Sequence, residues 1–275
     1  MIRIAMAQIQ VWPGEIERNL RKIEEYIEKA SRERCDLILL PECSDLGWAN
    51  PHAAEGAEPV PGKTSRFLCE LSRKYGIYTV CGITEKDGDK LYNTAVLVDD
   101  QGEILLKHRK INLLTGIEDV YSVGNSLGVA DTKYGKIGLA ICADNLEESM
   151  VIGHTLGRMG CQLLLSPSSW AVTQDFLKEG HTYGEEWTSP YGMLSKTYKM
   201  AVVGVSNVGE IPFGVWKGRC CIGNSIAADS EGKIVKVLPF GKRAETLDIL
   251  ELKLKENSLY GTALAEAVHS RGKVL

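Results

Sequence analysis

Apolar runs too hydrophobic to face water on either side alternate along this chain with segments whose apolar residues fall at helical spacing. Asp36–Leu40, Ile137–Ile141 and Ala201–Val205 are runs of the first kind. A strand of that sort is stable only when both of its faces are covered, which requires a layered α/β structure. In the first half, Ile16, Leu20, Ile23, Ile27 and Ala30 mark one helix, with Glu17–Arg21 and Glu25–Lys29 pairs on its wet side. A second helix is predicted over Thr64–Tyr75, ending at Gly76. Strands follow over Ile77–Ile83, Leu91–Val98 and Glu103–Lys107, the last entered through the turn Asp99-Asp100-Gln101-Gly102.

The second half repeats the pattern. Strand Ile137–Ile141, helix Glu147–Met159, strand Gln162–Leu165, a helix around Tyr191–Lys199 and strand Ala201–Val205 are expected in turn. Strand Cys221–Ala228, a turn at Asp229-Ser230-Glu231-Gly232, and strands Lys233–Val237 and Leu247–Leu252 complete it. Two such sheets packed face to face, with helices outside, make an α/β fold: a four-layer α-β-β-α sandwich of two mixed sheets. Periodicity alone leaves a doubly wound single sheet open. No Pro/Gly/Ser-rich linker divides the halves, so residues 1–275 are expected to form one domain, with a tail from about Lys253 that packs on a partner subunit.

Composition narrows the function class. A chain 44% hydrophobic and 25% charged can bury a full core, and a net charge of -4 gives no electrostatic footprint for nucleic acid. No apolar run reaches the roughly 20 residues of a membrane span. Met1-Ile2-Arg3-Ile4-Ala5-Met6 reads as a strand, which predicts a cytoplasmic protein. The eight cysteines are then expected as reduced thiols, and none has zinc-site spacing. No phosphate-binding glycine loop or dinucleotide fingerprint stands out, so neither metal nor organic cofactor is expected.

Three reactive side chains sit where apolar strands run out: Glu42, Lys110 and Cys142. Sheets deliver side chains into crevices at such ends. A carboxylate, an amine and a thiol together are a base, a cation and a nucleophile, a set suited to acyl transfer at a carbon–nitrogen bond. A helix expected just after Cys142 predicts a lowered thiol pKa, and the tight turn at Ala143 offers its amide to an oxyanion. Burial after Pro41 predicts a raised Glu42 pKa. Trp170 and Asn207, at later strand ends, and Asp144 are candidates for the pocket wall, and the polar insertion 173–189 is long enough to form a lid.

The motifs Leu39-Leu40-Pro41-Glu42, His108-Arg109-Lys110-Ile111-Asn112-Leu113 and Gly138-Leu139-Ala140-Ile141-Cys142, in that order, resemble the nitrilase superfamily of carbon–nitrogen hydrolases. Tyr92-Asn93-Thr94-Ala95, Ser166-Pro167-Ser168-Ser169-Trp170 and Val205-Ser206-Asn207 extend the resemblance from Ile2 to about Leu252. It implies the four-layer sandwich, the triad Glu42, Lys110 and Cys142, and a second acid in the loop after Lys110. Glu118 is the better candidate for that acid and Asp119 its neighbour. The implied reaction converts a small amide to acid and ammonia through a Cys142 thioester. N-carbamoyl amine hydrolysis and nitrile hydrolysis are the alternatives, and a catalytically silent scaffold on the same fold is the alternative of another class. The resemblance also implies a homodimer associating through helices beside the nucleophile. Two departures bear on the substrate. Ser195-Lys196-Thr197-Tyr198-Lys199 replaces an Arg-Ala-x-Glu-Asn pattern, and no arginine follows Cys142 until Arg158. With Glu118, Asp119, Glu185 and Glu186 nearby in sequence, this charge pattern predicts neutral or cationic amides, or carbamoyl amines, over carboxylate-tailed ones.

Overall fold

The structure, a computed structural model, describes residues 1–179 and 183–257. Two six-stranded mixed sheets form its centre. In the first, strands run in the order Thr246–Leu252, Ile2–Gln8, Leu37–Leu39, Tyr78–Asp87, Lys90–Val98 and Ile104–Arg109. The second runs Ile234–Val237, Ile226–Ala228, Ala201–Ser206, Leu163–Ser168, Gly135–Leu139 and Val129–Thr132. Each sheet has three neighbouring parallel strands flanked by antiparallel ones.

Strand Ile2–Gln8 shows why the runs are uniformly apolar. Ile2, Ile4 and Met6 enter the core between the sheets with Leu139, Leu163, Leu165 and Val203. Ala5 and Ala7, on the opposite face by the two-residue period, pack beneath Leu20, Ile23 and Ile27 of helix Ile16–Arg32 and Leu68 and Leu71 of helix Lys63–Tyr75. Helices Val151–Arg158 and Glu185–Tyr198 cover the second sheet, giving the expected four layers. Helix Lys63–Tyr75 stops at Gly76, which takes the left-handed φ of +63°.

Two expectations change. The run read as one strand over Cys221–Ala228 breaks into Cys220–Ile222 and Ile226–Ala228, which belong to different sheets. Asn224, at φ +59°, bends the chain between them, and Cys220–Ile222 joins a small third sheet with Val208–Glu210 and Ala171–Val172. The helix expected over Glu147–Met159 is α-helical only over Val151–Arg158, because two 3-10 turns, Cys142–Asn145 and Glu147–Ser149, precede it. Of the tail, Leu254 packs on the central core, and Asn257 is buried with its amide donating to Gly157 O at 2.5 Å. Residues from 258 onward lie outside the described residues.

Candidate active site

Three strand ends converge. Leu37–Leu39 leads to Glu42, Ile104–Arg109 to Lys110, and Gly135–Leu139 to Cys142. The Glu42 amide bonds to Ser168 O across the two sheets at 3.3 Å, and the Lys110 amide continues its strand pairing onto Asn93 O at 2.8 Å. Gly82 lets the Glu42 loop lie this close: a Cβ there would sit 2.5 Å from Glu42 Cα and 2.7 Å from Pro41 O. Both Cys43 and Cys142 take a left-handed φ of +44°, a conformation that costs a non-glycine residue on the order of 1–3 kcal/mol and persists only where the surroundings impose it. At Cys142 the surroundings include Asn145, whose side-chain amide donates to Ala140 O at 3.3 Å and Ser166 Oγ at 2.9 Å.

Lys110 is the hub. Its Nζ donates to Glu42 Oε1 at 2.8 Å and to Glu118 Oε1 and Oε2 at 2.8 and 2.9 Å, with all three side chains fully buried. Asn93 Nδ2 bridges the same carboxylates, at 2.6 Å to Glu42 and 3.2 Å to Glu118. Trp48 Nε1 and the Leu114 amide complete the donors to Glu118, at 2.7 and 2.8 Å. Glu42 Oε2, by contrast, is buried without a hydrogen-bond partner among the described residues. One carboxylate is therefore saturated with donors and the other keeps a free oxygen.

Electrostatics separate the roles further. Burial pushes the Glu42 carboxyl above its ordinary value; Lys110 pulls it back and Glu118 pushes it up again. For Lys110, burial works against the charge, but Glu118 and Glu42 outweigh it and hold the ammonium well above the ordinary lysine range. The Cys142 thiol is pushed well above its usual value, first by burial and then by Glu42, against Lys110 and a backbone hydrogen bond from Ser169. This reverses the expected lowering. The element after Cys142 is a 3-10 turn instead of an α-helix N-terminus, and desolvation outweighs what its amides supply. The thiol therefore holds its proton more tightly than an ordinary cysteine.

Cys142 and Ala143 open on a cavity of about 280 Å³, whose lining also includes Ser169, Trp170 and Trp187. The carbon–nitrogen hydrolase family model matches residues 3–258. The chain belongs to this family. Among its relatives, omega-amidase NIT2-B of Xenopus laevis is 32% identical over 181 residues, covering 62% of this chain and 64% of that protein. A nitrilase of Pyrococcus abyssi is 34% identical over 175 residues, covering 62% and 65%. These matches span just under two thirds of the curated relatives' length. Of solved structures, Saccharomyces cerevisiae Nit3, a member of branch 10 of the nitrilase superfamily, superposes with a TM-score of 0.75 at 26% identity over 97% of this chain and 94% of that one. An amidase from Nesterenkonia sp. AN1 shares the fold at 20% identity, with a TM-score of 0.77 and coverage of 92% and 94%.

Within this carbon–nitrogen hydrolase fold the residues singled out from the sequence divide. Glu42, Lys110, Glu118 and Asn93 meet in one cluster, Cys142 and Ala143 lie at the cavity, and Trp170 is in its wall. Asp119 is exposed and accepts the Gly116 amide at 2.8 Å, whereas Glu118 pairs with Lys110, so Glu118 is the acid at the lysine. Asp144 departs from its expected place in the pocket wall. It is fully buried with both oxygens engaged: Oδ1 by the Asn112 amide at 2.8 Å, Oδ2 by His108 Nε2 at 2.8 Å and the Ile141 amide at 3.1 Å. It ties the Lys110 and Cys142 loops together instead of meeting a ligand. Asn207 is buried, its carbonyl accepting the Gly223 amide at 2.9 Å, and lies outside the cavity wall. The 173–189 insertion forms helix Gln174–Glu179 and starts helix Glu185–Tyr198, bringing Tyr183, Glu186 and Trp187 to the cavity; residues 180–182 lie outside the described residues.

Sequence reasoning gave no role to Asn93 or Trp48. A polar residue inside the apolar strand Leu91–Val98 was a usable signal for Asn93. Trp48 stands in a loop with no periodicity to read.

Proposed function

We propose that this protein is a thiol-dependent hydrolase of non-peptide carbon–nitrogen bonds, converting a small amide to acid and ammonia. The observation that carries this reading is the buried Lys110 ammonium held between Glu42 and Glu118, with Glu42 Oε2 without a hydrogen-bond partner among the described residues and Cys142 opening on the cavity. Glu42 takes the thiol proton as sulfur attacks the amide carbon. Lys110 and the Ala143 amide stabilise the oxyanion. Protonated Glu42 gives its proton to the leaving ammonia, then activates the water that hydrolyses the thioester. Glu118, saturated by Lys110, Trp48 and Leu114, keeps the ammonium in place and remains an acceptor throughout.

The pH profile tests this division of labour. Glu42 must be ionised to act as base, and burial raises its pKa. Activity should therefore fall on the acid side through a pKa above the ordinary carboxylate value of about 4.3. No loss should come from Lys110 up to about pH 10, since its pKa is raised well above the ordinary lysine value. Ammonia release from primary amides, measured against pH, reads both limbs. Absence of any ammonia release, or an acid limb at or below the ordinary value, contradicts the reading.

A homodimer belongs to the same proposal. Val151 and Met159, on and just after helix Val151–Arg158, are 68% and 42% exposed, and Met193 on the neighbouring helix Glu185–Tyr198 is 47% exposed. Large apolar side chains exposed together on adjacent helices favour a covering partner. Light scattering at micromolar concentration should give at least twice the mass of one chain. A stable monomer rejects the dimer without touching the chemistry.

A further inference from the structure

The cavity beyond Cys142 has an unusual wall. Trp48, Trp170, Trp187, Trp216 and Tyr183 surround it, and Glu186 carries the only full charge among the described residues that line it. Trp170 and Trp187 stack at 4.8 Å with planes 19° apart, which leaves one face of each indole free of the other. Trp48 and Trp216 meet edge to face at 5.3 Å, and Trp187 Nε1 donates to Tyr183 OH at 3.0 Å, so the rings brace one another. Glu186 is exposed at the rim and spends Oε2 on the Gly184 amide at 3.1 Å. The Trp170 indole N–H and the Ser169 hydroxyl are buried in the same wall without partners among the described residues, so the cavity also holds polar groups for a ligand.

Resting on the hydrolase reading of Cys142, we propose that this cavity selects amides whose tail is an organic cation, an ammonium or trimethylammonium group held by the aromatic faces and Glu186. Ring faces carry the negative end of the aromatic quadrupole, and enclosure by several rings is how proteins recognise quaternary ammonium groups. Glu186 supplies net charge of the complementary sign at the mouth, which also raises the encounter rate for cations. A carboxylate tail meets the opposite situation: negative ring faces and a like charge. The nearby guanidinium, Arg219, stacks on Trp216 at 4.2 Å and is not part of the lining. The cavity wall thus narrows the expectation drawn from charge alone, of neutral or cationic amides or carbamoyl amines, to a specific preference for the cation.

The test uses three butanamides that differ only in the group at the chain end: trimethylammonium, its neutral isostere tert-butyl, and carboxylate. Ammonia release should give the trimethylammonium member a kcat/KM about tenfold above the tert-butyl member, with the carboxylate member lowest. Glu186→Gln should narrow the cation-to-neutral ratio roughly fivefold, whereas Arg219→Ala should leave the carboxylate member the poorest. Calorimetric binding of the same three amides to the Cys142→Ala protein reads the cavity without turnover. Equal kcat/KM for the trimethylammonium and tert-butyl members, or a preference for carboxylate, overturns the cationic assignment and leaves amide hydrolysis standing. If no member is hydrolysed but the trimethylammonium amide still binds tightest, the cage stands and the hydrolase reading falls. If binding shows no preference for the cation, the cage falls whatever the activity.

Discussion

Cys142→Ala should reduce amide turnover by roughly 10⁴-fold or more while the protein still folds. Among the described residues that line the cavity, Cys142 carries the one thiol and Ser169 only a hydroxyl, a much weaker nucleophile at its ordinary pKa, so the serine should not replace it. Cys43 lies one residue from Glu42, but its thiol is engaged with Tyr121 OH at 3.5 Å and it does not line the cavity. The structural cost is small. Removing one sulfur from a buried site costs about 1–2 kcal/mol, against a stability of about 5–15 kcal/mol for a typical domain. Alanine also inherits the left-handed backbone at this position, so the strain is neither added nor relieved. Ammonia release and a thermal melt on the same preparation separate chemistry from folding. A folded Cys142→Ala protein that keeps more than about one hundredth of the activity would remove Cys142 from the mechanism.

Lys110→Met should damage both activity and stability, which distinguishes it from the cysteine variant. The methionine removes the ammonium that donates to Glu42 and Glu118, leaving two buried carboxylates that share only Asn93 Nδ2. Breaking one side of a buried ion pair costs about 3–5 kcal/mol, because the remaining charge has lost its compensation. Glu42 is already raised by burial and would rise further without Lys110, so the base is lost along with the oxyanion cation. Losing an oxyanion donor alone costs on the order of 10²–10³ in kcat, and the combined effect should exceed 10³. Any residual activity should move to higher pH, because Glu42 needs a more alkaline solution to ionise. On the alkaline side, the stabilisation that Lys110 gains from its charge is fully present below the unfolded lysine pKa of about 10.4 and is lost as pH rises through the higher folded value. On the acid side it weakens as Glu42 takes up a proton. Wild-type melting with kcat within tenfold of native would show that the lysine is dispensable.

Much of this arrangement was legible in the chain itself. Strands covered on both faces must be apolar on both, and that one constraint marked Asp36–Leu40, Ile137–Ile141 and Ala201–Val205 and called for a layered α/β structure. Reactive residues at the ends of such strands, in the order Glu42, Lys110, Cys142, pointed to one site because a sheet brings its strand ends together. Local pattern failed where the decision was not local. Cys220–Ile222 and Ile226–Ala228 are equally apolar, and only the left-handed turn at Asn224 sends them into different sheets. Glu118 and Asp119 are adjacent acids, and the choice between them depends on which one the loop turns toward a lysine eight residues away. Asp144 looked like a ligand contact because it follows the nucleophile, but five donors from three segments claim its oxygens. Hydrophobic patterning in the sequence therefore determined the α/β class, and the order of its motifs pointed, through the family resemblance, to the four-layer sandwich and to Glu42, Lys110 and Cys142 as candidate reacting groups. Tertiary structure alone decided that the Cys142 pKa moves up, that Glu42 Oε2 has no partner among the described residues, and that the cavity wall is aromatic. Those depend on desolvation and on distances between segments far apart in the chain, which no local pattern encodes.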